Sequence, residues 1–135
     1  MGIKTIGRFV YDSTTATAVA ADGAIPLPAS TTSTRCVSCD GYNITINRSG
    51  VYQISGDFTF AATAAGAIET QLYRNGNALA GAHALSTAAA VGDYASQTID
   101  TVITVPCNSP TATINFKALD ATSVRVANVV VVKVA

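Results

Sequence analysis

The sequence predicts an all-β fold, a sandwich or barrel of about eight to ten short strands. Three observations carry that prediction. Apolar and polar residues alternate with a period of two along much of the chain, the pattern of strands with one buried face. Turn chemistry separates the alternating runs, including Asn75-Gly76 and the paired prolines Pro106 and Pro110. The runs are rich in Val, Ile, Thr, Tyr and Phe, which fit a pleated surface, and no stretch carries a helical apolar stripe.

The elements follow in order. Ile6 to Tyr11 reads as a strand, and Ser13 to Ala21 is a mixed small-residue stretch. Ile25-Pro-Leu27-Pro28 reads as a short strand limited by prolines, which remove ladder donors. Ala29 to Arg35 reads as a Ser/Thr loop. Tyr42 to Ile46 alternates, and Asn47 to Gly50 supplies a turn. Tyr52 to Phe60 alternates with Tyr52, Ile54, Phe58 and Phe60 on one face. Ile68 to Arg74 runs into Asn75-Gly76, the strongest short hairpin signal, because both central residues of a type I′ turn need positive φ. The return strand begins near Asn77 and runs toward Leu85. The Ala-rich stretches 61–67 and 78–90 are broken by glycines and read as loops and strand ends. Thr98 to Val105 and Thr111 to Ala118 are two further strands around the Pro106–Pro110 turn. Val124 to Val134 is nearly continuous valine, which predicts a central strand apolar on both faces, its outer face meeting a partner.

Composition excludes several function classes. The chain has 135 residues, 12% of them charged, a net charge of zero and a hydrophobic fraction of 49%. That is too apolar for a disordered segment. It lacks the basic surplus of an electrostatic nucleic-acid binder. A single domain with much of its surface against something else fits this balance. Lys4, Arg8 and Asp12 interrupt the first segment, so no leader-type apolar core is expected there. The uncharged run from Asn75 to Gly92 is too polar for a membrane helix, and no membrane or nucleic-acid partner is expected.

Catalytic constellations are thin. The one histidine, His83, sits in Gly81-Ala-His-Ala-Leu85 without a nucleophile signature, and no Gly-x-Ser-x-Gly elbow exists. Carboxylates are scattered singly, with no Asp-x-Asp-x-Asp calcium loop. Asp93 and Asp120 fall in loops, where a solvated role is the simplest reading. Cys36-Val-Ser-Cys39 has half-site spacing but lacks the second half of a zinc site. With Cys107 it leaves open free thiols, a disulfide, or a chance four-ligand set with His83. The expectation is no enzyme, no catalytic residue, no cofactor and no metal.

The run Ile44-Thr-Ile-Asn-Arg-Ser-Gly50-Val-Tyr52-Gln-Ile54-Ser-Gly-Asp-Phe58 resembles a signature of the complement-globular-head and tumour-necrosis-factor-like jelly rolls. Leu72-Tyr-Arg-Asn75-Gly76-Asn-Ala-Leu79 is similar to that family's Asn-Gly hairpin, and Val129 to Val134 to its closing strand. Pro106 to Pro110 stands where animal members have Gly-Asp. The resemblance implies a two-sheet antiparallel jelly-roll sandwich over residues 25–135, assembling as a homotrimer. Residues 1–24 would be an anchoring segment or outer strand.

The Ala/Thr-rich variant looks like versions in bacteriophage structural proteins and spore-surface filaments. The resemblance therefore implies a virion component, a trimeric capsid decoration or head-fibre protein bound to capsid or other virion proteins. The alternative is a trimeric adhesin of a tail fibre or of a spore or cell surface, taking host-surface glycans on loops 61–67 or 87–94. Expected trimer contacts are Tyr52, Phe58, Phe60, Phe116, Val130 and Val132. Expected anchoring residues are Ile3, Ile6, Phe9 and Tyr11. Alternation alone leaves open which strand face meets the trimer axis and which meets the core.

Overall fold

The computed structural model describes residues 5–34 and 36–135. The strands in chain order are β1 Ile6–Val19, β2 Gly23–Ala24, β3 Ala29–Ser33, β4 Val37–Cys39, β5 Ile44–Ile46 and β6 Gly50–Ala61. They continue with β7 Gly66–Arg74, β8 Asn77–Ala88, β9 Tyr94–Val105, β10 Ala112–Ala118 and β11 Thr122–Lys133. Two antiparallel sheets form. One has five strands in the order β3-β1-β11-β6-β9; the other runs β4-β5-β10-β7-β8, with β2 added on β10. The valine strand β11 is thus the centre of the five-stranded sheet, as its composition predicts.

The alternation seen in sequence becomes burial. On β6, Tyr52, Ile54, Phe58 and Phe60 point into the sandwich while Gln53 and Asp57 face water. On β10, Ala112, Ile114, Phe116 and Ala118 close the core from the opposite sheet. Phe58 and Phe116 meet across the sandwich at a centroid distance of 4.9 Å and a tilt of 57°. Each such buried ring contributes about 3–5 kcal/mol against truncation to alanine. Gly56 makes that meeting possible, because a Cβ there would lie 2.9 Å from the Phe58 ring and 3.0 Å from Phe116. The hairpin turn is as expected, with Asn75 at φ 50° and Gly76 at φ 83° and Arg74 paired with Asn77.

Four stretches differ from the sequence expectation. Residues 29–33 form strand β3 rather than a loop, because β1 supplies a ladder partner, Gly7 to Ser33 and Val10 to Ala29. Residues 13–19 continue β1 past an irregularity after Asp12, pairing again from Thr17 to Val124. Ile25 and Leu27 make no ladder strand. Their side chains plug the core, held by Ile25 N–H to the Phe116 carbonyl at 2.8 Å and Leu27 N–H to the Gly41 carbonyl at 2.6 Å. The intervening Pro26 and Pro28 cannot donate, which limits this segment to isolated bonds. The short strand β4 carried too little alternation to be expected.

A polar network ties the sheets internally. The Thr70 hydroxyl, fully buried on β7, donates to Gln97 Oε1 on β9 at 2.6 Å. Gln97 Nε2 donates to the Ile68 carbonyl at 2.8 Å and to Ser86 Oγ at 2.5 Å. Arg74 Nη2 reaches the Thr104 carbonyl at 2.7 Å. Along β8, an irregular stretch opposite Leu72 is filled by Gln71, whose Nε2 donates to the carbonyls of Leu72, Leu79 and Ala82.

The strand directions give the sandwich two distinct ends. At one, the loop after β6 and the loop before β9 are joined by Ala62 N–H to Asp93 O and Gly92 N–H to Ala62 O. The opposite end carries the 47–49, 75–76 and 106–111 turns, Thr5 and Ala135.

Candidate self-association face

The outer face of the five-stranded sheet is laid out by its register. Reading from β1 to β9, the first row is Ile6, Val132, Gln53 and Val102. The second is Arg8, Val130, Ser55 and Asp100, and the third is Val10, Asn128, Asp57 and Thr98. The fourth is Asp12, Val126, Thr59 and Ser96. The inner neighbours on β11, Val124, Ala127, Val129 and Val131, are fully buried, whereas Val126, Val130 and Val132 are half-buried and look outward. Val102 is 58% exposed. An aliphatic stripe therefore crosses an outer surface that the described residues do not cover.

Polar groups on this face are spaced around the stripe. Arg8 Nε donates to Asn128 Oδ1 at 2.8 Å, and the Thr98 hydroxyl donates to Asp57 Oδ1 at 3.0 Å. Between β1 and β11 lies a concavity of ≈ 240 Å³ lined by Arg8, Val10, Tyr11, Asp12, Val126, Ala127 and Asn128.

The expected contact residues divide. Val130 and Val132 lie on the outward stripe. Tyr52, Phe58, Phe60 and Phe116 do not: all four are 2% exposed or less and fill the space between the sheets, so a second chain cannot reach them. Alternation grouped Tyr52, Phe58 and Phe60 on one face of β6, and that face, like the face of β10 that carries Phe116, is the inner one. Tyr52 is further fixed by its hydroxyl donating to the Arg48 carbonyl at 2.7 Å, and burial pushes its phenol above the ordinary value.

Of the expected anchoring residues, Ile3 lies outside the described residues. Ile6 is half-buried in the first row. Phe9 is a core residue with no exposure, so it cannot grip another protein. Tyr11 packs on the core margin, its hydroxyl donating to the Thr15 carbonyl and bonded to Thr17 Oγ1, which braces the irregular part of β1.

The reactive side chains are dispersed. Among the described residues, no three His, Cys, Asp or Glu groups come together as a metal site. The three cysteines are free. Cys39 donates to the Leu27 carbonyl at 3.6 Å, and burial pushes its thiol up, away from the reactive thiolate. His83 pairs with Glu69 at 3.3 Å on the six-stranded sheet. Asp93 accepts the Ala90 N–H at 3.1 Å within its own loop. Asp120 Oδ2 is buried without a hydrogen-bond partner among the described residues.

The rows of the outer face were beyond sequence reasoning, since they join residues from four distant segments. The alternation of β1 and β9 was a usable signal for which side chains share a face, but not for their alignment.

No family model matches the chain, and no curated protein sequence matches it either. Solved structures do resemble it. Eiger TNF from S. frugiperda superposes with a TM-score of 0.77 at 11% identity, covering 98% of this chain and 93% of that one. Murine APRIL at pH 5.0 gives 0.72 at 12% identity, covering 98% of this chain and 100% of that one. The PRD1 vertex protein P5 gives 0.62 at 14% identity, with both chains covered 100%. At these identities the likeness is one of fold. Two antiparallel sheets, a central β11 and these structural neighbours together make the chain an all-β, TNF-like jelly-roll sandwich.

Proposed function

We propose that this protein is a non-enzymatic structural subunit that assembles as a homotrimer through the outer face of its five-stranded sheet and serves in a bacteriophage virion, as a capsid decoration or head-fibre protein. The observation that carries the reading is β11: a central strand with a buried inner face and an outward stripe of Val126, Val130 and Val132, beside the exposed Val102. Outward valines at the centre of an uncovered sheet, interrupted on β11 by Asn128, are the kind of apolar surface that self-association hides. The low charge content supports the same reading, because subunit contacts replace water over part of the surface. The likeness to the PRD1 vertex protein P5 supports the virion setting.

The test of assembly is light scattering of the purified chain across micromolar concentrations. The reading expects a trimer mass; a stable folded monomer refutes it. The virion role is tested by the coding neighbourhood, where adjacency to capsid or portal genes supports it and adjacency to baseplate genes favours the alternative.

That alternative, a trimeric adhesin module, has one observation in its favour. The joined loops at the β6–β7 and β8–β9 end present Val91 at 71% and Tyr94 at 69% exposure. A glycan array with reproducible hits lost in Tyr94→Ala would support it.

A further inference from the structure

Charge is sorted between the two ends of the sandwich. The described segments that build the loop end, residues 19–24, 61–66, 88–94 and 118–123, carry Asp22, Asp93 and Asp120 and no Lys, Arg or His. The described segments that build the turn end, residues 5–7, 47–51, 74–77, 103–113 and 132–135, carry Arg48, Arg74 and Lys133 and no Asp or Glu. Arg48, Arg74 and Lys133 are all half-buried. A chain of zero net charge therefore has a basic end.

These cations come from different elements and converge on the start of β6. Thr5 joins two of them: its carbonyl accepts the Lys133 N–H at 2.9 Å, and its hydroxyl oxygen accepts from Arg48 Nη1 at 3.4 Å. The Lys133 stem crosses Gly50, since a Cβ there would lie 2.5 Å from Lys133 Cε. Gly50 thus leaves the room that the stem occupies. Arg74 reaches in from the opposite sheet, its Nη2 bonded to the carbonyl of Thr104, which pairs with Val51 beside Gly50. The Lys133 ammonium has no hydrogen bond or ion pair among the described residues. Ser49 Oγ accepts from the exposed Cys107 thiol at 3.7 Å, so its own O–H is left to donate. Cations gathered without a carboxylate side chain repel one another, and an anion seated among them relieves that repulsion.

We propose that this corner of the turn end is an oxyanion site. Arg48 and Lys133 take a phosphate or sulfate group, Ser49 donates its hydroxyl hydrogen, and Arg74 adds charge from the rim. Guanidinium and ammonium bonds to such oxygens are charge-assisted, the strong class of hydrogen bond. A tetrahedral oxyanion offers several acceptor oxygens to these donors, which a chloride ion does not. The group is carried either as the free inorganic ion or on a polysaccharide. The site lies at an end of the sandwich and not on the outer face of the five-stranded sheet, so it stands independently of the self-association reading.

The experiment titrates the full chain with sodium sulfate, sodium phosphate and dextran sulfate by calorimetry, at an ionic strength held constant with sodium chloride. Lys133→Met and Arg48→Met keep an unbranched stem and remove the charge. Lys117→Met, whose ammonium sits over Tyr73 on the six-stranded sheet, is the control. Circular dichroism checks that each variant folds, and Lys133→Met decides alone if Arg48→Met does not. The original chain is expected to bind sulfate and phosphate saturably. Each site variant is expected to weaken that binding at least about tenfold, the loss of one charge-assisted bond. Lys117→Met is expected to stay within about twofold, since a distant exposed charge is screened. Dextran sulfate held at least about tenfold more tightly per sulfate group than the inorganic ion, through many groups on one polymer, supports the site with a polymer-borne ligand. Equal binding supports it with the free ion. No saturable binding above the chloride background overturns the site, as does binding that Lys133→Met leaves unchanged. A loss in Lys117→Met as large as in Lys133→Met also overturns it, because the anion then follows net charge and not the turn end.

Discussion

Replacing Gln97 by Leu and Thr70 by Val, singly and together, probes how the two sheets are held in register. Thr70 is fully buried and its hydroxyl donates only to Gln97 Oε1. Gln97 is 6% exposed and donates to Ile68 O and Ser86 Oγ. Thr70→Val keeps the shape but strands the amide oxygen, and one buried unsatisfied group costs about 1–3 kcal/mol. Gln97→Leu strands the Thr70 hydroxyl and removes a donor from the Ile68 carbonyl, while half-buried Ser86 can turn to water. Its expected cost is about 2–4 kcal/mol, reduced by the apolar area that Leu buries. The double variant removes both partners of the 2.6 Å bond, and such paired removal is nearly neutral for that bond. The combined loss is therefore expected to fall short of the summed singles by about 1–2 kcal/mol, within the usual range for residues in one network. Urea unfolding at one fixed protein concentration measures it, because assembly makes apparent stability concentration-dependent. Additive single losses would refute the network as a coupled unit.

Other outcomes follow from the same structure. Gly56→Ala puts a methyl 2.9 Å from the Phe58 ring and 3.0 Å from Phe116, so it should destabilise by about 1–3 kcal/mol, seen as a lower urea midpoint at unchanged m-value. Phe116→Ala should cost about 3–5 kcal/mol by the same assay, since its ring is fully buried against Phe58. Asp40 accepts the Tyr42 and Asn43 N–H groups and the Asn43 amide, which holds its carboxyl below the ordinary value. Its folded pKa is depressed, so its stabilisation is full above the unfolded value near 3.8 and is lost as pH falls through the folded value. Asp40→Asn should lower the midpoint at neutral pH, where that stabilisation is full, and flatten that part of the acid limb of a midpoint-against-pH curve, so that the two curves converge as pH falls.

Local chemistry made much of the sandwich legible. The Tyr52–Phe60 alternation, the Asn75-Gly76 turn and the valine run each carry their own signal, and each has its expected place. Residues 29–33 were not legible, because Ser and Thr make either loop or strand and only the β1 partner decides. Ile25 and Leu27 have the local pattern of a short strand, but flanking prolines and a core to fill make them plugs instead. The same gap explains the candidate site. Alternation groups Tyr52, Phe58 and Phe60 on one face without saying that the opposite sheet covers it. Arg8 and Asp100 share a row only through three successive strand registers, which no local pattern encodes.

The outer face of the five-stranded sheet, and not another surface, is proposed to meet further copies of the chain. Sedimentation of Val130→Asp beside Leu85→Asp distinguishes this face from the opposite one, with circular dichroism to check folding. Val130 lies on the outward stripe, whereas Leu85, 64% exposed, lies on the six-stranded sheet. Val130→Asp is expected to sediment as a folded monomer while Leu85→Asp remains a trimer. A Val130→Asp chain that stays trimeric, or a Leu85→Asp chain that alone dissociates, would contradict it.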